Sequence, residues 1–179
     1  QGQGLDFGSV AINLGASQFR NRNLGRLMLE RIDALHLPPG AIEVEVTEDV
    51  FLSRAAGHAQ EVCRELKYGG VTIAFDDFGT GFASLTHLRE FPVDVLKIDR
   101  SFISRLGTDA STTSIVHAVV DLAHNLDLGV VAEGVETEGQ AQFLRAVGCE
   151  WAQGYLYARP MDARSVPDYL GPGRELLRA

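Results

Sequence analysis

Val71-Thr72-Ile73-Ala74-Phe75-Asp76-Asp77-Phe78-Gly79-Thr80-Gly81 is a β-branched and aliphatic run that ends in two adjacent carboxylates and a glycine-rich turn. Such a run reads as a strand buried on both faces, stopped by its turn residues. Five further apolar runs repeat the arrangement, each ending in a residue able to bind a divalent metal or orient water. They close at Asn13 in VAINL, Glu45 in IEVEVTE, Lys97 in DVLKID, Glu133 in GVVAEGVE and Gln153 in WAQGYLY. Successive polar ends lie 20 to 36 residues apart, room enough for one crossover helix and its loops. Parallel strands joined in this way put all six ends at one edge of a sheet. Carboxylates gathered at one edge repel one another, so an edge that tolerates four of them is expected to hold cations.

The strands are predicted at Ser9–Leu14, Ile42–Val46, Val71–Phe75, Val93–Ile98, Gly129–Ala132 and Ala152–Tyr157. Between them the apolar period changes to that of a helix. One stripe runs Leu24, Met28, Ile32, Leu35; a second runs Ala55, Ala59, Val62, Leu66; a third runs Ile115, Val119, Leu122, Leu126. Asn23 is placed to cap the first helix, Gly69 and Gly70 to stop the second, and Gly129 to stop the third. Thr137 and Gln140 have capping-box spacing, and Asp162 caps a last helix, with ordered packing ending at Gly171 to Gly173. Six βα units fit an open doubly wound sheet or most of an eight-stranded barrel. An open sheet concentrates polar groups at one switch point, whereas here every strand end carries one, which favours the barrel. Six strands leave such a barrel two short.

The 179 residues are 45% hydrophobic, enough for a substantial core, and 1–179 reads as one domain. A formal charge of −8 argues against a nucleic-acid polymer as partner, since phosphate neutralisation needs Lys and Arg. Cys63 and Cys149 have neither disulfide nor metal spacing and read as reduced core thiols, which points to a cytoplasmic setting. No run reaches the ~18 apolar residues of a membrane span, and the QGQG start has no signal-peptide character. No membrane contact is expected from this chain, although absent upstream segments could tether its parent.

Adjacent carboxylates at a strand end, one able to bridge two cations and the other to bind one, are what a two-metal hydrolytic site requires; Asp76 and Asp77 meet that demand. The plain alternative is a solvated turn, which the flanking Phe75 and Phe78 oppose. Glu45 points to the same mouth, while Glu43, two residues deeper, reads as a paired structural carboxylate. Asn13 is either a neutral ligand oxygen or a buried amide satisfied by backbone, and its company favours the ligand. Lys97 is either an ion-pair strut or the group that orients the attacking water, the second being favoured. Glu133 is suited to bind or orient water or to act as base; Gln153 offers a hydrogen bond. Gly79, Thr80 and Gly81 allow a backbone to bend close to a ligand, and Glu48 is placed to anchor that loop.

The motifs VAINLGASQF, EVEVTE, FDDFGTGFASL, LKIDRSF, VVAEGVET and GCEWAQGYLYARP, spanning about residues 9 to 160, together resemble the EAL domain family of cyclic di-GMP phosphodiesterases. The resemblance implies a (β/α)8 barrel, two Mg²⁺ or Mn²⁺ ions, and hydrolysis of cyclic di-GMP to linear pGpG. It implies Asn13, Glu45, Asp76 and Asp77 as metal ligands, with Asp77 also in the chemistry, and Lys97 and Glu133 as the groups that position or activate water. Gln153, Phe82 and Pro160 fall at substrate-binding positions, and Glu48 with Gly79, Thr80 and Gly81 at those of the regulatory loop. GGDEF or sensory domains in the parent are the further partners it implies, and a homodimer is expected on a separate ground, since a barrel edge left open by missing strands exposes backbone groups that a second chain can pair. Two departures stand out. The Glu-Ala-Leu motif is absent, since Asp33-Ala34-Leu35 lies mid-helix and out of order; it is expected before Gln1 with the barrel's first two strands, leaving this chain weak or inactive alone. Phe82 and Ala83 replace the family's usual Tyr and Ser, removing two hydroxyls. A receptor or scaffold that no longer turns over is the competing reading, and an enolase-like proton-abstracting barrel a remote one.

Overall fold

A computed structural model of the chain describes residues 8–38, 40–53, 56–79 and 85–170. Six strands form one sheet: β1 (Val10–Asn13), β2 (Ile42–Thr47), β3 (Thr72–Phe78), β4 (Val95–Ile98), β5 (Gly129–Glu133) and β6 (Trp151–Gln153). Every neighbouring pair is parallel, and the spatial order follows the chain from β1 to β6. All crossovers therefore step the same way, no switch point arises, and the sheet curls as most of a barrel rather than as a doubly wound layer. Eight α-helices accompany it among the described residues: α1 (Leu24–Ala34), α2 (Glu48–Leu52), α3 (Ala56–Tyr68), α4 (Leu85–Glu90), α5 (Arg100–Ile103), α6 (Ala110–Asn125), α7 (Glu138–Ala146) and α8 (Val166–Tyr169). None of the described helices is long and apolar enough to cross a membrane.

The strands sort their side chains onto two faces. Val44, Val46, Ile73, Phe75, Leu96, Ile98, Val130 and Ala132 face the helices and are almost wholly buried. Their registers match across the sheet, Val44 with Ile73, Phe75 with Leu96, Leu96 with Val130 and Ile98 with Ala132. Phe51 of α2 stacks against both Phe75 and Phe91, with ring centroids 4.5 and 4.1 Å away. The opposite face presents Glu43, Glu45, Thr72, Val95, Lys97, Val131 and Gln153 to a cavity of about 470 Å³.

Several boundaries differ from expectation, each for a local reason. β1 is exposed along its whole length and β6 at both ends, so continuous apolar runs do not here mean burial on both faces; the two outermost strands each lack a neighbour among the described residues. β3 continues through Asp76, Asp77 and Phe78. β4 starts only at Val95, because the Asp94 side chain accepts from Ile73 N–H where a strand bond would run. β6 stops at Gln153, since residues 154–156 turn to bond Val135.

The buried stripe of α6 is Thr112, Val116, Val120 and Ala123, one position round from the predicted one; Ile115 is exposed while Val119, Leu122 and Leu126 pack along its flank. Leu35 lies past the end of α1 and is exposed. Asn23 makes no side-chain cap; its own N–H is bonded by Asn21 Oδ1 instead. Asp127, in the left-handed region at φ 56°, follows the end of α6, and Gly129 opens β5. Gly70 stops α3 with φ 85°, the Thr137–Gln140 capping box is formed in full, and Asp162 caps the turn leading into α8.

Cys63 and Cys149 are buried free thiols. Burial pushes both thiols up to about 12, with a backbone hydrogen bond from Trp151 offsetting only part of that at Cys149. The thiolate is the reactive form, so native protein at pH 8 is expected to react with a disulfide reagent far more slowly than denatured protein. Stopped-flow thiol titration with and without denaturant measures the ratio, and equal rates would contradict the burial.

Candidate active site at the carboxyl edge of the sheet

Successive strand residues point to opposite faces, so an unbroken β3 would send Asp76 and Asp77 apart. The chain avoids this. Asp77 takes φ 56°, and the β3–β4 register shifts between Phe75 and Phe78. This bulge turns both carboxylates toward one place and returns Phe78 to the side of Phe75, with ring centroids 5.7 Å apart. Asp76 Oδ1 accepts from Asp77 N–H at 3.0 Å, which helps hold the left-handed residue. Aspartate tolerates that conformation better than a branched side chain does.

Glu133 at the end of β5 completes the cluster. Asp76, Asp77 and Glu133 each offer an oxygen, and the three oxygens lie within 4.8 Å of one another. All three are hard donors, the set that magnesium and manganese prefer, so the residues present fit such an ion.

Lys97 rises from β4 beneath them with its side chain only 4% exposed. Its Nζ lies 3.2 Å from Asp76 Oδ1 and 2.5 Å from Glu133 Oε1, and it also pairs with Glu45 Oε1. Burial alone would lower the Lys97 pKa, but hydrogen bonds to Glu133 and Glu45 outweigh it and the ammonium is held protonated. Burial raises the Glu133 carboxyl, with Lys97 partly countering and Asp76 and Glu45 adding to the rise. Asp77 is raised by burial, then by the charges of Asp76 and Asp99. Glu43 is raised chiefly by burial and next by Glu45; no ion pair to it is present among the described residues, so the expected structural pairing is not formed. Its side chain lines the same cavity as Lys97, whose charge lowers it only in part.

The remaining expected residues fall in three groups. Asn13 stands opposite Glu45 in register and Gln153 opposite Glu133, both exposed on the outermost strands. Glu48, the first residue of α2, is buried, and neither carboxylate oxygen has a hydrogen-bond partner among the described residues. Gly79 leaves β3 at φ 97°, and a Cβ there would sit 2.8 Å from the Phe102 ring. Thr80, Gly81 and Phe82, with Ala83, lie outside the described residues. Pro160 is exposed in the segment after β6, with no described contact to the carboxylates.

The sequence reading missed two features. One is the bulge itself, signalled only by an Asp-Asp-Phe-Gly run that a simple alternation cannot accommodate. The other is a backbone lock, in which Val135 N–H bonds the Gln153 carbonyl and Leu156 N–H bonds the Val135 carbonyl. A Cβ on Gly154 would lie 2.1 Å from the Val135 carbonyl oxygen. Gly154→Ala is therefore expected to cost about 3 kcal/mol, since fixed backbone must move. A thermal melt that matched wild type would remove the lock from the account.

Comparisons with known proteins fit this geometry. The sequence profile described as the EAL domain matches residues 2–160. Pseudomonas aeruginosa MucR, a bifunctional diguanylate cyclase/cyclic di-GMP phosphodiesterase, is 41% identical over 158 residues, covering 88% of this chain and 23% of MucR. Among solved structures, the EAL domain of Mycobacterium smegmatis DcpA superposes with a TM-score of 0.87 at 36% identity, covering 93% of this chain and 74% of that one. The manganese/cy-diGMP complex of Klebsiella pneumoniae BlrP1 at pH 9.0 superposes with a TM-score of 0.77 at 31% identity, covering 85% and 39%. The chain spans only about a fifth of the length of the first curated relatives it matches, 20% to 23%.

Proposed function

Because this chain belongs to the EAL domain family, we propose that its strand-end cluster is the catalytic centre of a metal-dependent phosphodiesterase that hydrolyses cyclic di-GMP to linear pGpG. The observation that carries the reading is the convergence of Asp76, Asp77 and Glu133 above the buried Lys97. In this reading Asn13, Glu45, Asp76 and Asp77 hold two Mg²⁺ or Mn²⁺ ions. Divalent ions bound there would offset phosphate charge and make water a stronger acid near neutral pH. Lys97 donates hydrogen bonds that fix the orientation of the attacking water, and Glu133 accepts its proton. The water oxygen joins phosphorus as the bond from phosphorus to one ribose oxygen breaks, and the proton ends on that released oxygen. Gln153, Phe82 and Pro160 contact the dinucleotide. Glu48 anchors the loop that begins Gly79-Thr80-Gly81, which would satisfy its two buried oxygens, without hydrogen-bond partners among the described residues.

With six strands the sheet leaves Asn13 and Gln153 on exposed margins, so the 179 residues alone turn over slowly or not at all. In an intact parent protein containing them, chromatography is expected to detect pGpG when Mg²⁺ or Mn²⁺ is supplied and none when EDTA removes it. Tight binding of cyclic di-GMP with no product under either metal would overturn catalysis in favour of a receptor.

A further inference from the structure

Lys97 does more in this fold than stand beside a reacting water. Its ammonium reaches Glu45 on β2, Asp76 on β3 and Glu133 on β5 from its own place on β4, so a single cation ties together the ends of four strands. Among the described residues it is the only Lys or Arg in ion-pair contact with these carboxylates. Buried carboxylates without a counter-charge would be strongly destabilising, and here the protein supplies one itself. The lone pair that accepts from Nζ is not open to a metal ion at the same time, and an ammonium at that distance repels a cation on the same oxygen.

We propose that Lys97 is a built-in counter-cation, which holds the carboxylates together before metal arrives and must release Glu45 and Asp76, keeping Glu133, for divalent ions to bind. Metal loading is then an exchange of cations. Affinity is set lower than the number of carboxylates alone would give, and the metal-free fold is kept intact. The inference rests on the reading of Glu45 and Asp76 as metal ligands.

The sequence offers a direct probe, because Lys67 and Lys97 are its only lysines. Lys67 pairs with Asp94 at 2.6 Å and has a side chain 42% exposed, so its ammonium exchanges with solvent while that of Lys97 is shielded. Protein labelled with ¹⁵N-lysine is titrated with Mg²⁺ and the Lys97 side-chain resonance followed. In parallel, Mg²⁺ binding to wild type and Lys97→Met is measured by calorimetry. The expected result is a Lys97 resonance that moves in step with Mg²⁺ occupancy while that of Lys67 stays still. K97M is expected to bind Mg²⁺ at least about tenfold more tightly and, in EDTA, to melt about 10 °C lower.

A wild type that binds Mg²⁺ with a stationary Lys97 resonance, together with a K97M that binds no more tightly, would overturn the exchange and leave the metal centre standing. Absence of Mg²⁺ binding in both proteins would overturn the metal centre itself and the inference with it. Should K97M not fold, the wild-type titration decides alone.

Discussion

Asp77→Asn is expected to lower turnover of cyclic di-GMP by about a thousandfold or more while leaving the metal-free fold at least as stable as wild type. The two halves of that outcome have one cause. The Asp77 carboxylate is raised by burial and by the neighbouring charges of Asp76 and Asp99, so its ionised form is under strain in the folded state. Asparagine removes the charge, keeps the shape and accepts the left-handed φ of 56° that the bulge demands. In the proposed mechanism, what it gives up is a metal-ligand oxygen with full negative charge. A carboxyl raised on folding contributes stability that is complete below its ordinary value of 3.8 and is lost as pH climbs through the raised folded value. The advantage of D77N over wild type in EDTA should thus be widest near neutral pH and close as pH falls toward 3.8. Thermal melts across pH, set beside pGpG formation in the intact parent protein, check both halves. A variant that is both less stable and fully active would refute the assignment.

Glu133→Gln should lower kcat by about 10² to 10⁴ with a small effect on KM. The amide oxygen it introduces still accepts from Lys97 Nζ, which the carboxylate now does at 2.5 Å, so the strand ends keep their spacing. In the proposed mechanism the base is lost, because an amide cannot take a proton from water near neutral pH. Burial raises the Glu133 carboxyl and Lys97 restrains the rise, the balance that suits a group required to hold a proton briefly. Steady-state kinetics separates the two parameters. A change in KM alone would make Glu133 a binding group, and an unchanged kcat would remove it from the proton path.

These two residues also mark how far the sequence can be read. Parallel strands, their order of appearance and the residues at their ends were legible because apolar runs and helical stripes have different periods, and each run closes on a polar side chain. The places where the reading slipped share a feature. Leu35 and Ile115 sit on plausible apolar stripes yet lie in solvent, because which flank of a helix is covered depends on how the helix is rotated against the sheet. β1 and β6 read like core strands and are exposed, because burial of a strand is conferred by its neighbours. Glu43 and Glu45 look alike in IEVEVTE; only the reach of Lys97 across β2, β3 and β5 puts one in contact with the ammonium and leaves the other lining the cavity without an ion pair among the described residues.

By itself the sequence determined the chemical inventory of this protein and the edge at which it collects, since the period-two and period-3.6 patterns are local and each fixes where its own segment ends. The tertiary structure alone decided that two consecutive aspartates face the same way and that one lysine holds three carboxylates. Those outcomes depend on a bulge set by pairing with β4 and on Coulomb contacts between strands far apart in the chain, neither of which any single stretch of residues encodes.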